Sequence, residues 1–258
     1  MTNTLHRYGT AESFRDDYII FAIPSKGIND EDCIPKLKEF LKICARHNPV
    51  NIGNGHRGGL APQKDLSPMV HWNRVAIKDW EKVIEGVSKP GTVSAVFSTK
   101  EDAENCMKEV VAADFGFSVN MSTSVENAKR AGEVSGIKRH SVEYSLGFYD
   151  PHDNLPDSQV LGLSTMCGHG MVSFNFAKKM IEMVREGRRS PEEAASTLVR
   201  FCPCGIYNSD RAKRILEENI GKETEEDRQR KKKKPTKGQD EQNIGKETEE
   251  DRQRNKNR

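Results

Sequence analysis

The sequence predicts an α/β protein, with α+β as the nearest variant: a layered mixed sheet covered by helices, closed by a C-terminal helical hairpin and followed by a disordered charged tail. Three observations predict it. Short apolar runs alternate with amphipathic stretches through the first two hundred residues. Several of those stretches open on capping signatures, Ser190-Pro191-Glu192-Glu193 above all. Beyond residue 218 the only aliphatic or aromatic residues are Ile220 and Ile244, so that stretch cannot bury enough surface to order itself.

The elements follow in order. Tyr18, Ile19, Ile20, Phe21 and Ile23 make 17–23 a strand, and Leu37, Phe40, Leu41 and Cys44 recur at helical spacing in a helix over about 30–47. Residues 48–73 are rich in Gly, Asn and Pro, with Gly53, Gly55, Gly58 and Gly59 around His56 and Arg57. They read as a flexible loop and a candidate sub-boundary of the body, without the Gly-Lys-Ser/Thr end of a phosphate loop. A helix over 78–87, a strand over 92–97 and a helix opened by Ser98-Thr99-Lys100-Glu101 come next. A strand is predicted at 115–120, and Ser122-Thr123-Ser124 caps a helix to about 136. His140, Val142, Tyr144, Leu146 and Phe148 alternate with smaller or polar residues, the pattern of a half-buried strand. A turn at 150–157 would then return the apolar run 160–166 as its antiparallel neighbour. Val172, Phe176, Ala177, Met180, Ile181 and Val184 form one helix face, stopped by Gly187. Helices over 191–201 and from Asn208 or Ser209 to about 219 complete a single body over 1–218.

The tail, 219–258, contains a duplicated twelve-residue segment, 219–230 recurring as 243–254. Without an apolar face the two copies cannot stack as a solenoid. The tail holds thirteen Lys/Arg against ten Asp/Glu, which leaves 28 against 29 in the body. The body therefore offers no charge-based reason to expect nucleic acid. No stretch approaches the roughly 20 apolar residues needed to span a membrane, and the first residues lack the apolar core of a signal peptide. The expectation is an intracellular, cytoplasmic protein with reduced cysteines, acting on a small-molecule substrate or a redox partner.

Two short motifs carry the chemistry. Cys167-Gly168-His169-Gly170 is placed by the pattern at a strand-to-helix turn, where free N–H groups and the helix dipole favour a thiolate. Cys202-Pro203-Cys204-Gly205 follows a helix, and a Cys-x-Cys pair is too short for an unstrained disulfide yet suited to chelation. A helical hairpin between the motifs can bring them together. Cys33, Cys44 and Cys106 lie inside helix-like patterns and read as packed hydrophobes. Asp16 and Asp17 read as capping or solvated groups, and Asp150, His152 and Asp153 as turn formers.

The constellation fits three uses. The first is a metal or iron–sulfur site of a redox, sulfur-transfer or Lewis-acid enzyme. There Cys167, Cys202 and Cys204 hold a cluster, or His169 joins them as a Cys3His zinc site. The second is metal-free thiol chemistry, with Cys167 as nucleophile, His169 or His140 as its base and Cys202 or Cys204 as resolving thiol. The third is a non-catalytic sensing or assembly domain in which the glycines serve turns and the cysteines pack.

Overall fold

A computed structural model of the chain describes residues 5–55, 79–143, 155–202, 204–218 and 220. All of them fall within one unit, Met1–Ile220. Its centre is a four-stranded sheet of β1 (Tyr18–Ile23), β2 (Asn51–Asn54), β3 (Val93–Phe97) and β4 (Ser118–Ser122), in the order β2-β3-β1-β4. Every neighbouring pair is antiparallel, with Ile19 opposite Val96 and Ser122, and Ile52 opposite Ala95. Eight α-helices are present among the described residues: α1 (Cys33–Arg46), α2 (Trp80–Glu85), α3 (Lys100–Ala113), α4 (Val125–Val134), α5 (Ser158–Ser164), α6 (Phe174–Arg185), α7 (Pro191–Val199) and α8 (Ser209–Glu217). The protein is thus mixed α/β, a sheet covered by helices.

Strand alternation sends side chains to two separate cores. Tyr18, Ile20, Ala22, Ile52, Val93, Ala95 and Phe97 meet the buried stripes of α1, α2 and α3, including Leu37, Phe40, Leu41, Ile84 and Val110. Ile19, Phe21 and Val96 point the other way, into a core built by α5 to α8 with Leu163, Met180, Leu198 and Leu216. β1 and β3 are buried on both faces because helices cover both. The edge strand β4 divides its faces: Val119 and Met121 pack on the first core, while Ser118, Asn120 and Ser122 share the second face with Ile23, Phe21 and Ile19.

Several elements differ from the sequence prediction. The run 160–166, expected as a buried strand, lies in α5 through residue 164, with Val160, Leu161, Gly162, Leu163 and Ser164 all buried. A run of this length that is apolar all round has no periodicity to separate a buried strand from a buried helix. Of its expected antiparallel partner, residues 140–143 form no strand, and 144–154 lie outside the described residues. Among the described residues the antiparallel pairing is that of β1 to β4. β2 lies inside the segment taken for a loop, and the rest of that segment, 56–78, falls outside the described residues. The α3 cap is Thr99, whose hydroxyl accepts from the Asp102 amide, one residue beyond Ser98. The box at Ser190 forms as predicted, with the Ser190 hydroxyl accepting from Glu193 N and the Glu193 carboxylate from Ser190 N. α6 and α7 pack together as the expected hairpin, and α7 packs on α8. No helix among the described residues is long and apolar enough to cross a membrane. The tail beyond Ile220 lies outside the described residues.

Candidate metal centre

The loop between α5 and α6 carries the first motif. Thr165 is the C-cap of α5, the Gly168 amide donates to the Thr165 carbonyl at 2.8 Å, and the Ser164 hydroxyl donates across the loop to Val172 O. Cys167 therefore follows a helix C-terminus, and the next helix starts only at Phe174, capped by Ser173. The helix-dipole argument of the sequence fails here, since the near helix end is the negative one and disfavours a thiolate. Gly168 sits at φ +79°, and a Cβ there would lie 2.7 Å from Leu5 Cβ, so both conformation and space require glycine.

The second motif continues from α7. The Cys202 amide donates to the Val199 carbonyl at 3.1 Å, and the Phe201 ring packs on Phe176 of α6 with centroids 4.4 Å apart. β2 closes the opposite side: a Cβ on Gly53 would collide with the Cys204 carbonyl and lie 3.0 Å from Gly205 Cα. The hairpin, its aromatic clasp and a glycine in an edge strand together set the Cys204 turn against the Cys167 loop.

The ligating atoms of Cys167, His169 and Cys204 all lie within 4.8 Å of one another, a group that can hold a metal ion. Cys202 Sγ is 2.8 Å from Cys204 Sγ in a shared hydrogen bond. Cys167 and Cys202 are buried, Cys204 is half-buried and His169 is exposed, so the group opens to solvent on one side. His140, the other candidate base, is exposed in the segment after α4 and forms no part of this group.

Hydrogen bonding sets the protonation pattern. Bonds to Cys167 from Cys202, then Cys204, and from His169 hold its thiol far below the usual range against the opposing effect of burial. Donating to that thiolate raises Cys202 well above its ordinary value and pushes Cys204 up to about 12. The same thiolate raises His169. Without metal, the hydrogen bonds favour the thiolate at Cys167 and the protonated forms of Cys202, Cys204 and His169.

A second polar cluster, which sequence reasoning missed, supports the Cys167 loop. Arg7, Asp17 and Arg211 are 2%, 0% and 1% exposed in their side chains. Both guanidinium groups donate to Asp17, Arg211 at 2.8 Å. Arg7 Nε donates to the Met166 carbonyl at 2.9 Å, Arg7 also reaches Ser122 O at 3.0 Å, and Arg211 donates to Tyr8 O at 3.0 Å. The Phe14 ring contacts both cations, 4.8 Å from Arg7 Cζ and 4.2 Å from Arg211 Cζ. Burial lowers Arg7 to about 10, opposed first by Asp17, so it stays charged at neutral pH. Asp17 is thus the centre of a buried ion network, not a solvated cap, and Asp16 pairs with Arg214 at 2.5 Å. A signal for Arg211 was present: it stands four residues before Ile215 and three after the Asn208 cap, on the buried face of α8.

The chain matches no protein-family model, no curated protein and no solved structure.

Proposed function

We propose that Cys167, Cys202 and Cys204 hold a single divalent ion of the zinc type, with His169 as an exchangeable fourth ligand, in an enzyme that uses the ion as a Lewis acid on a small-molecule substrate. The observation that carries this reading is the convergence of Cys167, His169 and Cys204, from two separate turns, to within 4.8 Å. Sulfurs on one tetrahedral ion stand about 3.8 Å apart at Zn–S bonds of about 2.3 Å, so this spacing suits one ion. A four-iron cluster spreads its thiolates over separate irons and needs a wider set. The burial gradient supports the role of His169: the deepest ligands are thiolates, and the exposed imidazole is the one a substrate can displace.

The test is metal analysis of the protein purified without added metal, followed by replacement with Co(II). The reading expects one equivalent of zinc and, with cobalt, the intense visible bands of thiolate ligation. His169→Ala should keep the metal with weaker binding and an altered cobalt spectrum. Iron with inorganic sulfide would replace the reading with a cluster.

One observation favours a second reading, metal-free thiol chemistry: the hydrogen bonds from Cys202, Cys204 and His169 that favour the thiolate at Cys167. Full reactivity of Cys167 toward alkylating agents in protein free of metal, unchanged when zinc is supplied, would select it.

A further inference from the structure

We infer that the buried Arg7–Asp17–Arg211 network is the counter-charge of the sulfur centre, with Arg7 as the positioning residue that ties the Cys167 loop to it. The inference rests on the reading of Cys167, Cys202 and Cys204 as one anionic centre. Two buried guanidinium groups share one buried carboxylate, which leaves a surplus positive charge in the interior. No other carboxylate among the described residues reaches either cation, because Asp16 is engaged by Arg214 through bonds of 2.8 and 2.5 Å. An interior charge without a counter-charge is strongly unfavourable. The surplus lies against Met166, the residue before Cys167: Arg7 Nε holds its carbonyl at 2.9 Å and Arg211 approaches its sulfur at 3.7 Å. Three thiolates around a divalent ion carry one net negative charge, the complement of that surplus.

The attachment is also mechanical. The segment from Leu5 to Gly9 crosses the Cys167 loop, with Leu5 against Gly168 and the Tyr8 amide donating to Thr165 Oγ1 at 2.9 Å. Arg7 pins this segment at three points, the Met166 carbonyl, the Ser122 carbonyl and Asp17. Its planar fork serves all three, which a lysine could not.

The test measures the potential at the sulfurs. Reduced, chelator-treated full-length protein is alkylated at one pH and low ionic strength with iodoacetate and with iodoacetamide, and each site cysteine is quantified by peptide mass. The ratio of the two rates cancels sulfur exposure and thiolate fraction and retains the local charge. Arg7→Met should lower the ratio at least about threefold, Asp17→Asn should raise it, and Arg7→Lys should stay near the unaltered protein. A packing disturbance alone would move Arg7→Met and Asp17→Asn in the same direction. That result, or no movement in either, overturns the inference. If Arg7→Met does not fold, Asp17→Asn decides alone: an unchanged or lower ratio overturns it. Cobalt affinity should also fall at least tenfold in Arg7→Met. Failure of the unaltered chain to take up zinc or cobalt sinks the metal reading only, since the ratios come from metal-free protein.

Discussion

Six cysteines divide three and three between the two faces of one sheet, and all but the half-buried Cys204 are buried. Cys33, Cys44 and Cys106 are 1%, 0% and 0% exposed beneath α1 and α3, while Cys167 and Cys202 are 0% and 1% exposed beneath the C-terminal helices. Their partners differ. On the first face Cys106 donates only to Cys44, at 3.7 Å, and burial raises Cys33 and Cys44. On the second face the sulfurs meet one another, an imidazole and, through Met166, a buried pair of arginines. A thiol among aliphatic side chains is held protonated and inert, whereas Cys167, among donors, is shifted toward the thiolate while the donors Cys202 and Cys204 are raised. The difference comes from where the chain turns: the first three cysteines lie within helices and the other three in loops, where amides and side-chain donors are free to point inward.

The largest test breaks that comparison directly. Cys167→Ala and Cys204→Ala should each abolish metal retention after dialysis against a mild chelator. Cys44→Ala and Cys106→Ala should cost about 1–3 kcal/mol of stability and leave metal content intact. Elemental analysis beside chemical denaturation reads both. Loss of metal in Cys106→Ala would mean that the faces are not independent.

Gly53 joins the faces, since β2 places Ile52 in the first core and Gly53 against the Cys204 turn. Gly53→Ala should cost about 1–3 kcal/mol, because its Cβ meets backbone that has no rotamer to yield. It should also weaken metal binding. Gly116→Ala is the control: Gly116 has φ +74° and nothing within 4 Å of a Cβ, so its change should cost about 1 kcal/mol and leave the metal alone. Equal effects on metal would remove β2 from the description of the site.

These two tests touch features that differ in how far the sequence declares them. The Ser190 box, the stripe of α6 and the strand β1 are local, so pattern alone gives them. The shared location of the two cysteine motifs was legible as well, because a hairpin flanked by both is a geometric argument. The run 160–166 was misread because its helical character comes from being surrounded, which leaves no polar face to reveal the period. β2 was hidden by Asn51, Gly53 and Asn54, poor strand formers whose use becomes visible only once Cys204 lies against Gly53. Arg7 and Asp17 are ten residues apart and meet Arg211 from the far end of the body, a contact that no local pattern announces.

A smaller effect is expected from pH. Cys204 is pushed up to about 12 and Cys202 is also raised, so above the ordinary thiol value of 9.0 the unfolded chain releases protons that the folded chain keeps. Stability of metal-free protein should therefore fall as pH rises from 9 toward 12. Cys33 and Cys44 contribute in the same direction from the other face. Cys167 acts oppositely: its contribution is complete above 9 and is lost as pH falls toward its depressed folded value. His169 contributes fully below 6.5, and that contribution disappears as pH rises through its raised folded value. With metal bound the site thiols are already deprotonated, so their share of the alkaline loss should vanish while acid releases the metal. Thermal midpoints of metal-free and metal-loaded protein across pH 5 to 11 check this. Parallel curves above 9 would show that the site cysteines do not ligate.

The smallest effect comes from matched helix caps, one on each face. Thr99 caps α3 by accepting from the Asp102 amide, and Ser190 caps α7 by accepting from the Glu193 amide. Thr99→Ala and Ser190→Ala should each cost about 1 kcal/mol, the worth of one satisfied amide at a helix start. Neither should change metal affinity. The Ser190 cap stands at the opposite end of α7 from Cys202, and the Cys202 amide donates its own hydrogen bond to Val199 O, at the end of that helix. Fraying at the start of α7 would therefore leave the cysteine turn held by its C-terminal turn, the Phe176–Phe201 contact and Gly53. Chemical denaturation beside cobalt titration of both variants distinguishes the cases. Equal losses of stability with unchanged affinity keep the site a local construction on one face, whereas weaker cobalt binding in Ser190→Ala alone would make the whole of α7 part of it.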